Sequence, residues 1–293
     1  RLKNPLAPLP RSAADTHPRV RLETIVAASD VPDAQSIIIA AQAADGSSDR
    51  FIAHALKNTI HVLAHRWEPA LLAGELEFNK LSHLLSVVRT RGGEQLAGVI
   101  RQQLADPTLS SERRQDYAEL LAHIGGSTDA VQSLRLGTGN PAVLRALVNA
   151  ANERNLKAPA SAADRLKVSL KKKETRSVAV ELIGAWKLDA YAETVRSLAT
   201  DQTEPASVRV AAAEALGQLN SPRAETTLAG LVTVNVPGEV RAAALGSLAK
   251  HDVARAAEFT VQLAGQVKPD NLGSLLAALL HREAGAAAGR RSP

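Results

Sequence analysis

One sequence pattern recurs along the chain at a spacing of about 32 residues, and it constrains the fold more than any other feature. In its clearest copies a proline stands three positions before a Val-Arg pair, and a leucine follows eight positions after the valine. The residues of these copies are Val208, Arg209 and Leu216, then Val240, Arg241 and Leu248. Weaker copies begin at Val20 with Arg21, at Val143 with the arginine displaced to Arg145, and at Val178.

The spacing inside this pattern predicts a helix. Proline fits the first turn of a helix, where its missing N–H is not needed. A valine, small residues four positions on and a leucine eight positions on lie along one helix face. A unit of about 30 residues holds two short helices and two turns, and neither helix buries its apolar face alone. We therefore predict an all-α solenoid of about eight helix pairs.

The composition agrees with close-packed helices and excludes several kinds of site. Hydrophobic residues make up 45% of the 293 residues and aromatic residues only 2%, so the apolar content is mostly Ala, Leu and Val. The absence of cysteine excludes a disulfide framework, a cysteine zinc site, an iron–sulfur site and a covalently attached haem from this segment. The net charge of +5 permits an anionic partner but does not argue for one.

The chain has no methionine and begins at Arg1, so we expect an excised segment of a longer protein or a sequence from which modified residues were dropped. No stretch has the apolar length of a transmembrane helix. Prolines interrupt the N-terminal residues, so we expect no signal peptide within this segment.

The chain is interpreted as one repeat array at 17–281. Residues 1–16 are predicted to be a linker or a truncated first repeat, and residues 282–293 a tail or a linker. Segment 157–163 is predicted to be a loop between two halves of the array. Short amphipathic helices are predicted between the Val-Arg helices, at 79–88, 94–104, 112–124, 190–199, 224–232, 254–263 and 271–280.

The order Pro-x-x-Val-Arg-x-x-Ala-x-x-Ala-Leu resembles HEAT repeats. The resemblance implies an α-solenoid with a concave inner surface on which the Val-Arg helices lie. It also implies that the arginine reaches an aspartate of the preceding turn, which fits Asp201 before Arg209 and Asp15 before Arg21. No equivalent aspartate precedes Arg241.

A second resemblance covers roughly residues 15–135. The sequence at 17–29, the segment at 32–35, the helix at 51–60 and the Trp-Glu-Pro at 67–69 look like the HEAT segment of large PVC-type haem-binding dehydrogenases. That family implies an N-terminal β-propeller, a helical array and a cytochrome domain with a Cys-x-x-Cys-His motif. No such motif occurs here, so no redox role transfers to any residue. The resemblance implies a spacer in an exported, periplasmic or cell-surface protein.

The candidate site residues each have a structural alternative. His54, His61 and His65 are predicted to lie on one helix and could share a metal ion, but no His-Glu-x-x-His motif supports this. Lys171, Lys172 and Lys173 could contact an anion, but a solvated helix end or loop is the favoured explanation, because charge runs usually keep a surface wet. Trp186 lies at the core offset of the repeat, while Trp67 is either a core residue or an exposed anchor. No catalytic residue and no cofactor are assigned to this chain.

Three functions remain open from the sequence. The first is a non-catalytic scaffold that positions neighbouring domains of a larger haem-dependent dehydrogenase. The second is a stand-alone solenoid that binds a protein partner. The third is an enzyme on a HEAT-like array, such as a DNA glycosylase or a bilin lyase. The few aromatic residues disfavour the third and disfavour a nucleic acid as partner.

Overall fold

A computed structural model describes residues 4–45, 49–219, 221–233 and 235–264. Within these ranges the chain forms seventeen α-helices, one 3-10 helix at Asp189–Tyr191 and no strand. The first eight helices are α1 Leu9–Ala13, α2 Pro18–Ser29, α3 Ser36–Ala43, α4 Arg50–Val62, α5 Ala64–Leu72, α6 Leu81–Arg91, α7 Glu94–Leu104 and α8 Ser111–Ile124. The others are α9 Ser127–Gly137, α10 Pro141–Arg154, α11 Ala162–Lys171, α12 Lys173–Ala185, α13 Ala192–Thr200, α14 Ala206–Leu216, α15 Ala224–Leu231, α16 Gly238–His251 and α17 Val253–Ala264.

The chain divides into two compact units between Asp129 and Ala130. In the first unit, α2 packs against α4, α4 against α6, and α6 against α8. Helix α3 covers α2, and α7 packs against both α5 and α8. None of the described helices has the length and apolarity needed to cross a membrane.

The second unit repeats one packing step. Helices α10, α12, α14 and α16 form a row in which each contacts the next, and we call this the even row. Helices α11, α13, α15 and α17 pack against the even row, each beside its neighbour in sequence. This two-layer arrangement is that of an all-α solenoid, as the repeat predicts.

The repeat positions of the second unit form its core. Val208, Leu216, Val240 and Leu248 are all buried. The even-row helices come close because small residues lie where they cross. A Cβ atom at Gly184 of α12 would lie 2.8 Å from the Cα atom of Ala215 of α14, so only glycine fits without a shift.

Several helix starts follow directly from local sequence. Asp49 caps α4 by accepting a hydrogen bond from the N–H of Phe51 at 2.7 Å, and Asn140 caps α10 through the N–H of Ala142 at 2.9 Å. Proline occupies the first position of α10, as predicted, whereas Pro205 stands just before α14. Capping side chains satisfy N–H groups that have no partner inside the helix.

Two expectations differ from the structure, and the predictions for the two ends of the chain stay predictions. Val20 is exposed, because only the five-residue helix α1 precedes α2. The loop predicted at 157–163 lies between α10 and α11, but the chain divides at Asp129 instead. Residues Leu9–Ala13, within the segment predicted to be a linker or a truncated first repeat, form a helix that packs against α2 and α3. The predicted helix at 271–280 and the segment 282–293 lie outside the described residues.

The close approach of α12 and α14 can be tested with one methyl group. Gly184→Ala places a Cβ atom against the backbone of Ala215, and we expect it to lower the free energy of unfolding by about 1–3 kcal/mol.

Gly230→Ala is the matched control, since Gly230 is exposed near the end of α15 with open space around it. Alanine favours helix there, so we expect a gain of about 0.5–1 kcal/mol. Urea unfolding of both variants measures the difference. A loss of equal size in both would show that helix propensity, and not the crossing, limits stability.

Candidate functional site

The arginines that recur in the repeat, Arg209 and Arg241, are structural groups in this protein. Arg209 and Arg241 are buried, and they donate hydrogen bonds to the carbonyls of Ala199 at 3.3 Å and Thr233 at 3.2 Å. Each arginine therefore lies at the C-terminal end of the preceding helix, where carbonyls lack partners and a positive charge is favourable.

The predicted contact between arginine and aspartate is wrong for both pairs. No salt bridge joins Arg209 to Asp201, whose carboxylate accepts hydrogen bonds from the backbone and hydroxyl of Thr203. Arg21 donates to the carbonyl of Asp45 at 3.1 Å, beyond the next helix. The aspartates shape their own turns, and the arginines bind main-chain oxygen.

Ion pairs join successive repeats at the surface. Each connects residues 28 to 36 positions apart, which is close to the repeat length. Among the described residues these pairs include Arg89–Glu119, Arg145–Glu181, Arg176–Glu204, Arg223–Glu193 and Arg255–Glu225, and Lys80–Asp45 and Arg101–Asp129 have similar separations. Exposed pairs of this kind contribute little stability individually, but they fix how one repeat is placed on the next.

The three histidines do not share one helix. Helix α4 ends at Val62, and His65 lies in α5. Leu63 lies between the two helices, and buried Trp67 of α5 donates its indole N–H to the carbonyl of Ile60 in α4 at 2.9 Å. His54 and His61 are exposed, and the part of the chain that the structure describes contains no group of three His, Cys, Asp or Glu residues that could hold a metal ion.

The three lysines lie at the turn between α11 and α12. Lys171 ends α11, Lys173 begins α12, and all three side chains are exposed. The amino group of Lys172 lies over Gly139, where a Cβ atom would come within 2.6 Å of it. The cluster therefore covers a turn of its own unit, and it remains a candidate for anion contact only.

The aromatic residues are mostly interior groups. Trp186 is buried and donates its indole N–H to the carbonyl of Leu156 at 2.9 Å, and Trp67 is buried completely. Tyr117 and Tyr191 are buried as well. Exposed rings in a row, which would stack on nucleic-acid bases, are absent from the described residues.

The sequence analysis missed an apolar groove between α2 and α4. The groove has a volume of about 330 Å³ and is lined by side chains of both helices. Three of its apolar residues are exposed to an unusual degree, Val26 at 45%, Phe51 at 58% and Val62 at 59%. Phe51 and Val62 lie three turns apart on the same face of α4, whose opposite face buries Ile52 and Ile60. We call this surface the α2–α4 groove.

Positive charge borders the α2–α4 groove. Helix α4 carries Arg50, His54, Lys57 and His61 and contains no aspartate or glutamate. The guanidinium of Arg50 lies 4.8 Å from the centre of the Phe51 ring. His54 itself lines the groove, next to Asn58. The groove thus combines an uncovered apolar floor with one guanidinium, that of Arg50, beside Phe51, and such a surface is suited to receive another protein segment.

A charged line also crosses the even row of the second unit. Arg145 of α10 pairs with Glu181 of α12, and Glu214 of α14 lies between Glu181 and Lys250 of α16. Loss of solvent around the carboxyl, together with the negative charge of Glu181, raises the pKa of Glu214, and Lys250 opposes this shift. The ionised form of Glu214 is therefore disfavoured in the folded protein.

Comparison with known families supports the helical reading. Residues 164–249, from α11 to α16, match the family model for HEAT repeats. No curated protein matches the chain. The match lies within the second unit, where together with the helical architecture it supports an all-α solenoid with HEAT-type repeats; HEAT repeats generally mediate protein interactions.

The charge of Glu214 gives a pH-dependent prediction. Because the folded state binds this proton more tightly than the unfolded chain, stability falls as the pH rises from the ordinary glutamate pKa of 4.5 through the raised value. We expect Glu214→Gln to raise the free energy of unfolding at pH 7 and to lose this advantage at about pH 3.5, where both states are protonated. Urea unfolding at the two pH values measures it. An equal gain at both pH values would assign the effect to packing.

Proposed function

We propose that this chain is a non-catalytic helical scaffold that binds a protein segment in the α2–α4 groove. The observation that carries the proposal is the exposure of Val26, Phe51 and Val62 around one groove. Scattered exposed apolar residues are ordinary on a surface, whereas a cluster that lines a concavity marks an interaction site.

The rim of the groove defines the chemistry of the partner. The guanidinium of Arg50 lies over Phe51 beside the apolar floor, so the partner segment presents an acidic residue next to the apolar anchor that meets Phe51. A short amphipathic helix satisfies both demands, because residues three and four positions apart lie on one face and reach successive parts of a groove.

Selection from a displayed random-peptide library tests this proposal. We expect the enriched peptides to carry apolar residues at helical spacing with Asp or Glu beside them. Phe51→Asp removes an anchor contact and places a carboxylate in the groove, so we expect the affinity for a selected peptide to fall at least about 30-fold, as for a typical hot-spot residue.

Val168→Asp is the matched control for Phe51→Asp. Val168 is 48% exposed on α11 in the other unit, so its replacement adds the same charge at a similar exposure outside the groove. We expect it to leave peptide affinity unchanged. Peptides that bind the wild type and Phe51→Asp equally well, or that lose affinity equally in both variants, would overturn the proposal. Circular dichroism confirms that each variant is folded.

We further propose that the chain is a segment of a larger exported, haem-dependent dehydrogenase-like protein. This proposal rests on the resemblance of residues 15–135, the part of the chain that contains the α2–α4 groove. The groove then receives an adjacent domain of the same polypeptide, in place of a separate protein that a stand-alone solenoid would bind. The location is periplasmic or on the cell surface under this proposal.

The size and visible spectrum of the native protein distinguish a segment of a dehydrogenase from a stand-alone solenoid. We expect a protein larger than the 30.8 kDa of this chain, with visible haem absorbance and a Cys-x-x-Cys-His motif encoded outside this segment. Mass spectrometry and an absorption spectrum measure both properties. A colourless product of 30.8 kDa would contradict the dehydrogenase proposal and leave the stand-alone protein-binding solenoid.

A further inference from the structure

The first unit contains a cavity that the scaffold function does not use. It has a volume of about 270 Å³ and lies between the segment that follows α5 and the helices α6, α7 and α8. Its apolar wall includes the buried side chains of Leu76, Leu84, Val88, Leu96 and Ile100. A volume of this size is just below the usual range for small-molecule sites and holds about nine water-sized groups.

Two polar side chains of α8 face this cavity from adjacent turns. Arg113 and Tyr117 are four residues apart and therefore lie on one face of the helix. Tyr117 is 7% exposed, whereas Arg113 is exposed. Arg113 forms no salt bridge among the described residues, although its charge opposes the raised pKa of Asp116, three residues along α8. Both side chains place N–H or O–H donors at one side of the cavity.

These features select one class of ligand. The apolar wall favours a hydrocarbon chain of about eight carbons, by the volume that it must fill. The guanidinium of Arg113 presents paired N–H donors that match a carboxylate, and the hydroxyl of Tyr117 supplies a further donor. Glu77 also lines the cavity, but it is exposed and belongs to the segment between α5 and α6. Its negative charge therefore disfavours an anionic head group near that segment and not at α8.

We propose that this cavity binds a small single-chain carboxylate, with its chain among the leucines and its head at Arg113 and Tyr117. The site is independent of the α2–α4 groove, which lies between other helices of the same unit. A charge-assisted hydrogen bond at the rim supplies specificity for the acid, and burial of the chain supplies most of the affinity.

Calorimetric titration of the full chain with octanoate, octylamine and octanol tests the proposal, at concentrations below micelle formation. We expect octanoate to bind, octanol to bind at least tenfold more weakly, and octylamine not to bind. Arg113→Gln weakens octanoate binding at least tenfold, and Tyr117→Phe weakens it less, because a neutral donor contributes less than a charged one. Arg135→Gln removes an equal charge from an exposed position of α9 and leaves binding unchanged.

A cavity-filling variant separates this site from adventitious surface binding. Val99 lines the cavity and is only half-buried, so Val99→Trp fills the space without replacing a core residue. We expect this variant to keep its helical circular dichroism and to lose octanoate binding. Equal binding of the three probes, unchanged binding in Val99→Trp, or no heat of binding for octanoate would each overturn the proposal. Phe51 does not line this cavity, so we expect Phe51→Asp to keep octanoate binding. Failure of peptide binding in the groove would therefore leave the octanoate result unaffected, and the two proposals fail independently.

Discussion

The close approach of consecutive helices in the even row is the constraint on which the second unit depends. A Cβ atom at Gly184 would strike the backbone of Ala215, and one at Gly217 would lie 2.7 Å from the Cβ of Ser247. Small residues at successive crossings let the helices touch along their backbones, which brings each layer of leucines into contact with the next. The ion pair between Arg145 of α10 and Glu181 of α12 joins neighbouring helices of this row and therefore depends on this spacing.

The sequence predicts the core of this fold better than its edges. The offset of eight from Val208 to Leu216 identifies two buried residues, and the helix predicted at 94–104 has the bounds of α7. Hydrophobic periodicity succeeds there because both layers are present and burial follows the helix face. The same offset fails at Val20, which stays exposed although α3 and α4 pack on other faces of α2, because the described helix before α2 has only five residues. Periodicity reports which face a helix could bury, and the neighbouring helices decide whether it does.

The candidate sites were less accessible to sequence reasoning, for two physical reasons. Arg209 and Arg241 bind main-chain carbonyls, and a carbonyl acceptor has no residue type that a pattern could reveal. The α2–α4 groove and the cavity beside Arg113 are formed by helices far apart in sequence, so no local motif describes them. One signal was present, because α4 places apolar residues on two faces and only one of them can face the core.

The hydrogen bonds of the buried arginines join residues close in sequence, whereas the ion pairs join residues about one repeat apart. This difference in sequence separation determines how such a chain can change its length. Arg209 and Arg241 bind within their own repeat, 8 to 10 residues back, while Arg145–Glu181 and Arg223–Glu193 join one repeat to the next. Duplication or deletion of one whole repeat therefore preserves both kinds of contact at every remaining junction. An insertion of part of a repeat inside a helix shifts every downstream partner, so genetic change by complete units is the route that keeps this architecture intact.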